Sequence, residues 1–155
     1  MRKHDAIDAS GHITAQLKRV IHLFRDDLEE ALRPFGITPA QLYVLATLGK
    51  EPGSSGARLA RLCEVTPQST QGLLVAVERR GWIEREKHPE NERVLLATLT
   101  PAGKELLESS RHAARNTERR MLHGFNHKEV ALLDELLGRC AANLETIQHL
   151  QSKRS

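Results

Sequence analysis

Thr66-Pro67-Gln68-Ser69-Thr70-Gln71-Gly72-Leu73-Leu74-Val75-Ala76-Val77 is a run whose first half is polar and whose second half is apolar at helical spacing. Thr66 suits an N-cap and Pro67 the first helical position, where the missing N–H costs nothing. Leu73, Leu74 and Val77 then hold the helix on a scaffold up to Gly81. Upstream, Pro52-Gly53-Ser54-Ser55 reads as a loop whose serines cap a shorter helix carrying Leu59 and Leu62, and Cys63-Glu64-Val65 turns between the two helices. Downstream, Trp82 to Arg85 reads as a strand answered by Arg93 to Leu99, with Leu95, Ala97 and Leu99 alternating on one core face. Lys87 to Glu92 has turn chemistry and no apolar residue, so it projects into solvent. Helix, turn, helix and hairpin in that order define a winged helix-turn-helix.

Outward from this centre, Thr38-Pro39 starts a helix carrying Leu42, Val44, Leu45 and Leu48, with Gly49 as its end, and Thr100-Pro101 starts another through Leu106 and Leu107. Ile13, Leu17, Val20, Ile21, Phe24, Leu28 and Leu32 form one long amphipathic helix, broken by Pro34 and Gly36. Asn126 and Glu129 have capping-box spacing ahead of a last helix with Val130, Leu133, Leu136, Leu137, Cys140, Leu144 and Ile147. The long terminal helices carry more apolar face than one small helix-turn-helix covers, so a homodimer is expected. The expectation is a mainly α protein with a small β-hairpin wing. It is read as a single domain over 1–155, with a winged core at about 37–100 and dimerisation helices at about 10–34 and 101–151.

Length and composition fit that picture: 155 residues with 39% hydrophobic content sustain one ordinary core. The net charge of +3 is a mild cationic bias. Within 51–100, seven arginines and lysines are balanced by seven glutamates, so binding to a polyanion requires the cations to cluster locally. Aromatic content of 3% disfavours a single-strand binder built on stacking platforms. Neither a Gly-rich fingerprint nor a nucleophile motif occurs, so an enzyme is not expected, and no cofactor is implied. No secretory signal or long apolar span is evident, and Cys63 and Cys140 lie in helical patterns as buried small hydrophobes, which points to a reducing cytoplasm and no membrane association. The eight histidines lack metal-type spacing; His123 and His127 come nearest but straddle the Asn126 helix boundary.

Reading duplex DNA through the major groove calls for short polar side chains at the start of a helix. Thr66, Gln68, Ser69, Thr70 and Gln71 meet that need, with Gln68, Thr70 and Gln71 expected to face outward. Ser54, Ser55 and Arg79 are further contact candidates, and Arg85, Lys87 and above all Arg93 are candidates on the wing, where an arginine can enter the minor groove. The blander alternatives are an ordinary capped helix start and a solvated hairpin.

The strings Ile37-Thr38-Pro39-Ala40-Gln41, Leu59-Ala60-Arg61-Leu62, Glu78-Arg79-Arg80-Gly81-Trp82-Ile83-Glu84-Arg85, Pro89-Glu90-Asn91-Glu92-Arg93 and Leu99-Thr100-Pro101-Ala102-Gly103-Lys104 cover the central half of the chain. In order and spacing this stretch resembles the MarR family of bacterial transcriptional regulators. The resemblance implies a homodimer on a pseudopalindromic operator, acting as a repressor released by a small aromatic or phenolic ligand. It places the family's wing arginine on Arg93, the acidic residue that orients it on Asn91, the basic residue between them on Glu92, and the turn glycine on Glu64. It also implies an effector crevice between the dimerisation helices and the winged domain, for which His22, Arg25, Tyr43 and His112 are the polar candidates. Peroxide-sensing members carry a cysteine early in the first helix, where this chain has none. The alternatives are a redox-sensing regulator, or a winged-helix adapter that binds protein instead of DNA, which the neutral central segment would permit.

Overall fold

A computed structural model describes residues 5–63 and 65–152, with side chains described from 11 to 146. The expectations that fall on Glu64 and on the side chain of Ile147 therefore lie outside the described residues. Elements run α1 (Asp5–Leu32), a 3-10 turn (Arg33–Phe35), α2 (Pro39–Lys50), β1 (Ser54–Ser55), α3 (Gly56–Leu62), α4 (Pro67–Arg79), β2 (Ile83–His88), β3 (Asn91–Leu99), α5 (Pro101–Met121) and α6 (His127–Ser152). The chain divides into two compact units, Met1–Glu118 and Arg119–Ser155.

In the first unit the helix starts follow from local chemistry. Thr38 accepts from the Gln41 N–H while Gln41 reaches back to the Thr38 N–H, a reciprocal capping box with Pro39 at the first position. Thr66 caps α4 by accepting from the Ser69 N–H at 3.1 Å, and the Thr100 hydroxyl caps α5 by accepting from the Gly103 N–H at 3.1 Å. The core gathers Leu32, Ile37, Leu45, Leu48, Leu59, Leu74, Val77, Ile83, Ala97, Leu99 and Leu107.

α4 ends in a Schellman turn. Gly81 adopts φ +71°, its N–H donates to the Glu78 carbonyl, and the Trp82 N–H donates to the Val77 carbonyl. That turn is joined to the start of α5, because the Thr100 hydroxyl donates to the Gly81 carbonyl at 2.6 Å and the Thr100 N–H to the Trp82 carbonyl at 3.1 Å. Gly103 lies so near that a Cβ there would stand 1.9 Å from the Trp82 oxygen, so only glycine fits.

Several expectations change. Ser54 and Ser55 are not loop but a short strand that completes a three-stranded antiparallel sheet of order β1-β3-β2, pairing with Ala97 and Leu96. The wing strands extend further than the sequence indicates, His88 opposing Asn91, so the projecting tip shrinks to Pro89-Glu90. Ala97 and Leu99 are buried, but Leu95 is 41% exposed, because the core face ends where the hairpin leaves the scaffold. Gly49 does not stop α2; it lies within the last turn, where an added Cβ would meet Leu107 at 3.0 Å. The stripe of α1 is buried at Leu32 and half-buried at Leu28 and Phe24, whereas Ile13, Leu17, Val20 and Ile21 are exposed.

In the second unit, Gly124 at φ +89° lies in the turn before α6. Asn126 accepts from the Lys128 and Glu129 N–H groups while Glu129 accepts from the Asn126 N–H at 2.8 Å, the capping box that the spacing predicts. Leu132, Leu136, Leu137 and Leu144 are exposed. Cys140 is exposed too, contrary to the expectation of burial, while Cys63 is buried beside the Thr47 hydroxyl as expected.

Candidate nucleic-acid interface

α4 has two unlike faces. Thr70, Leu74 and Val77 at i, i+4 and i+7 point into the core. Gln68, Ser69, Gln71, Gly72 and Arg79 are exposed. Thr70, an outward base reader by residue type, does not face outward. It is fully buried, and its hydroxyl donates back to the Thr66 carbonyl at 3.0 Å, so it anchors the helix instead of reading bases. Thr66 is exposed, but its oxygen serves the Ser69 N–H and its hydroxyl donates to Ser69 Oγ at 2.9 Å. Ser69 keeps its own O–H for a ligand. A Cβ on Gly72 would touch nothing within 4 Å, so this glycine serves no packing inside the protomer and leaves the outer face of α4 low.

Ser54 also leaves the candidate set. It is buried, its hydroxyl donates to the Glu51 carbonyl at 2.8 Å, and its backbone is taken up by β3. Ser55 caps α3 by accepting from the Arg58 N–H.

On the wing, Arg85 is not a free cation. Its guanidinium donates from Nε to Glu78 Oε2 at 2.9 Å and pairs with the same carboxylate through Nη2, with only 12% of its side chain exposed. The hydrogen bond from Arg85 is the largest influence and, with the smaller pull of the Arg85 charge, outweighs desolvation and holds the Glu78 carboxyl below its ordinary value. Lys87 is exposed and pairs loosely with Glu92 at 3.4 Å, so Glu92 offsets Lys87. Asn91 does not engage the Arg93 guanidinium; its Oδ1 accepts from the Arg93 backbone N–H at 3.2 Å. Arg93 is exposed, as are Arg61 and Arg79. Arg80 is held in the scaffold, stacked 4.9 Å above the Trp82 ring with Nη1 donating to the Gly36 carbonyl at 3.0 Å. The surviving exposed contact candidates are thus Thr66, Gln68, Ser69, Gln71, Arg79, Lys87 and Arg93, with the half-buried Ser55 beside them.

The effector candidates divide differently. A crevice of about 380 Å³ is lined by Phe24 and Leu28 of α1, Leu42 and Tyr43 of α2, and Arg111 and Arg115 of α5. Only Tyr43 of the four expected residues belongs to it. His22 pairs with Asp26 at 3.4 Å in solvent, and Arg25 and His112 are exposed outside the crevice lining. Sequence reasoning missed Arg111 and Arg115, although their four-residue spacing around Ala114 marks one helix face.

A capped helix presenting amides and a hydroxyl, followed by a cation-bearing hairpin on one scaffold, defines the winged helix-turn-helix class. A family model described as "MarR family" matches residues 35–94. The HTH-type transcriptional repressor Rv2887 of Mycobacterium tuberculosis is 35% identical over 106 residues, covering 68% of this chain and 76% of that one. Among solved structures, a variant of Escherichia coli MarR complexed with operator DNA superposes with TM-score 0.78 at 23% identity, covering 90% of this chain and 99% of that one. Bordetella bronchiseptica BpsR, whose DNA binding is regulated by 6-hydroxynicotinic acid, superposes with TM-score 0.77 at 21% identity over 84% and 98%. The chain belongs to the MarR family of transcriptional regulators.

Proposed function

We propose that this regulator binds a pseudopalindromic operator as a homodimer and represses until a small aromatic or phenolic ligand releases it. The observation that carries the reading is the exposure of Gln68, Ser69 and Gln71 on the face of α4 opposite Thr70, Leu74 and Val77. Glutamine can bridge adenine N6 and N7, and Ser69 can bond a base edge or phosphate. Arg93 supplies the minor-groove cation, with Lys87, Arg79, Thr66 and Ser55 as phosphate contacts.

The reading as a homodimer is supported by surface chemistry: Ile13, Leu17, Val20 and Ile21 of α1 and, separately, Leu132, Leu136, Leu137 and Leu144 of α6 are exposed, and a second copy is the occupant that the family supplies. Two copies set two recognition helices on successive major grooves. In the crevice, Tyr43 offers an aromatic wall and Arg115 offers charge for a phenolate or carboxylate, while Arg111 is paired with Glu108 at 3.3 Å and Glu118 also lines the site. A ligand seated there releases DNA only by preferring the arrangement that does not fit it.

Titrating duplex DNA at several salt concentrations, with sedimentation of the free protein, tests this reading. A steep loss of affinity with salt and a dimeric mass are expected. Absence of duplex binding at low salt would favour the protein-interaction adapter.

A further inference from the structure

Between α3 and the wing lies a groove of about 440 Å³, lined by Ser55, Arg58, His88 and Asn91 and walled by Val94 and Leu96. Ser54, which also lines it, spends its hydroxyl on the Glu51 carbonyl, while the other four polar side chains each keep a donor that no described contact takes up. His88 Nδ1 accepts from the Glu90 N–H at 3.1 Å, which puts the proton of the neutral ring on Nε2. Asn91 Oδ1 accepts from the Arg93 N–H, leaving the amide NH2 as donor. Ser55 Oγ accepts from the Arg58 N–H, leaving its hydroxyl proton. Arg58, which has no acceptor, is gripped by both oxygens of Glu51, Nε to Oε2 at 3.0 Å and Nη2 to Oε1 at 3.1 Å, and its Nη1 retains its hydrogens. The lining thus carries four donors beside the apolar Val94 and Leu96. Such a set of donors suits an oxyanion with several lone pairs.

We propose that this groove seats a backbone phosphate of the bound duplex, with Arg58, His88, Asn91 and Ser55 as its donors and Glu51 as the residue that positions Arg58. The assignment rests on the DNA-binding reading above and adds a sequence-independent contact that fixes the protein's register on the duplex. The same chemistry would accept free inorganic phosphate; a phosphodiester is favoured because the groove is flanked by the helix-turn-helix and the wing, the two parts that approach DNA.

The test uses the intact protein and a duplex recovered by selection. His88→Asn keeps an acceptor for the Glu90 N–H but removes the outward donor, and should weaken binding about tenfold, equally on specific and scrambled duplexes. His88→Gln, whose amide nitrogen reaches the place of Nε2, should recover most of that loss. Arg58→Met keeps the apolar stem, and should lower the slope of log affinity against log salt by about 1. Wild-type affinity and slope in both His88→Asn and Arg58→Met would overturn the phosphate seat while leaving the DNA reading intact. Failure of the unsubstituted protein to bind any duplex would remove both. Adding inorganic phosphate to the free protein separates the sources: a shifted Asn91 amide resonance together with unimpaired DNA binding by the variants would mean a free-anion site and overturn the backbone assignment.

Discussion

Arg85 of β2 and Glu78 of α4 form an ion pair that ties the end of the recognition helix to the base of the wing, with Nε donating to Oε2 at 2.9 Å. The pair links the two elements proposed to meet DNA and, with only 12% of the Arg85 side chain exposed, turns its guanidinium away from phosphate, unlike Arg58, which pairs with Glu51 but is 48% exposed. Arg85→Ala should therefore loosen the wing while leaving the number of counterions released on DNA binding unchanged, as read from the salt slope. A slope smaller by about 1 would show that Arg85 contacts phosphate directly.

The same pair sets an acid sensitivity. Because the folded Glu78 carboxyl titrates below its ordinary value of 4.5, its contribution to stability is complete above that value and is lost as pH falls through the folded value. Glu78→Gln should flatten the pH dependence of stability below about pH 4.5, as followed by urea midpoints from neutral to acidic pH. A dependence as steep as that of the unsubstituted protein would contradict it.

Gly103→Ala should be among the most damaging single-methyl changes, because the new Cβ has the Trp82 carbonyl 1.9 Å away and backbone cannot swing aside. A loss of at least 1–3 kcal/mol, roughly the usual cost of overpacking, should appear in the denaturation midpoint. An unchanged midpoint would mean that β2 and α5 are less rigidly joined than the Thr100 hydrogen bonds indicate.

Thr70 and Gln68 should separate cleanly. Thr70→Val fills the same volume, and the Thr66 carbonyl keeps its bond from the residue 70 N–H, so sequence discrimination should survive. Gln68→Ala should cost about 1–3 kcal/mol of discrimination at one base position, measured by competition between matched and mismatched duplexes. The reverse ranking would mean that α4 is rotated from the phase described.

Gly72→Ala meets no protein atom within 4 Å, so it should stabilise α4 by up to about 1 kcal/mol. If DNA approaches this face closely, the same change should weaken operator binding. Raised thermal stability with unaltered affinity would show that the duplex does not approach at residue 72.

Features encoded in contiguous residues were legible from the sequence: the Thr-Pro starts of α2, α4 and α5, the Asn126 and Glu129 box, and the glycines at 36 and 81. Each depends on neighbours within one turn of chain. What the sequence concealed depends on partners brought together by the fold. Two residues such as Ser54-Ser55 become a strand only because β3 passes beside them, and Arg85 looks like a free wing cation until the Schellman turn places Glu78 against it. Arg111 and Arg115 join the crevice of Tyr43 only because α5 packs back along the first unit. Thr70 is different: its inward direction is legible in its spacing to Leu74 and Val77, a helical phase that overrides its polar side-chain type.

Selection of bound duplexes from a random pool tests most directly whether α4 is presented twice, about one helical turn apart. Recovery of an inverted repeat with half-site centres roughly 10 base pairs apart, lost when Gln68 and Gln71 are both replaced by alanine, is the predicted result. An unenriched pool, or a single unrepeated motif bound by one protomer, would contradict it.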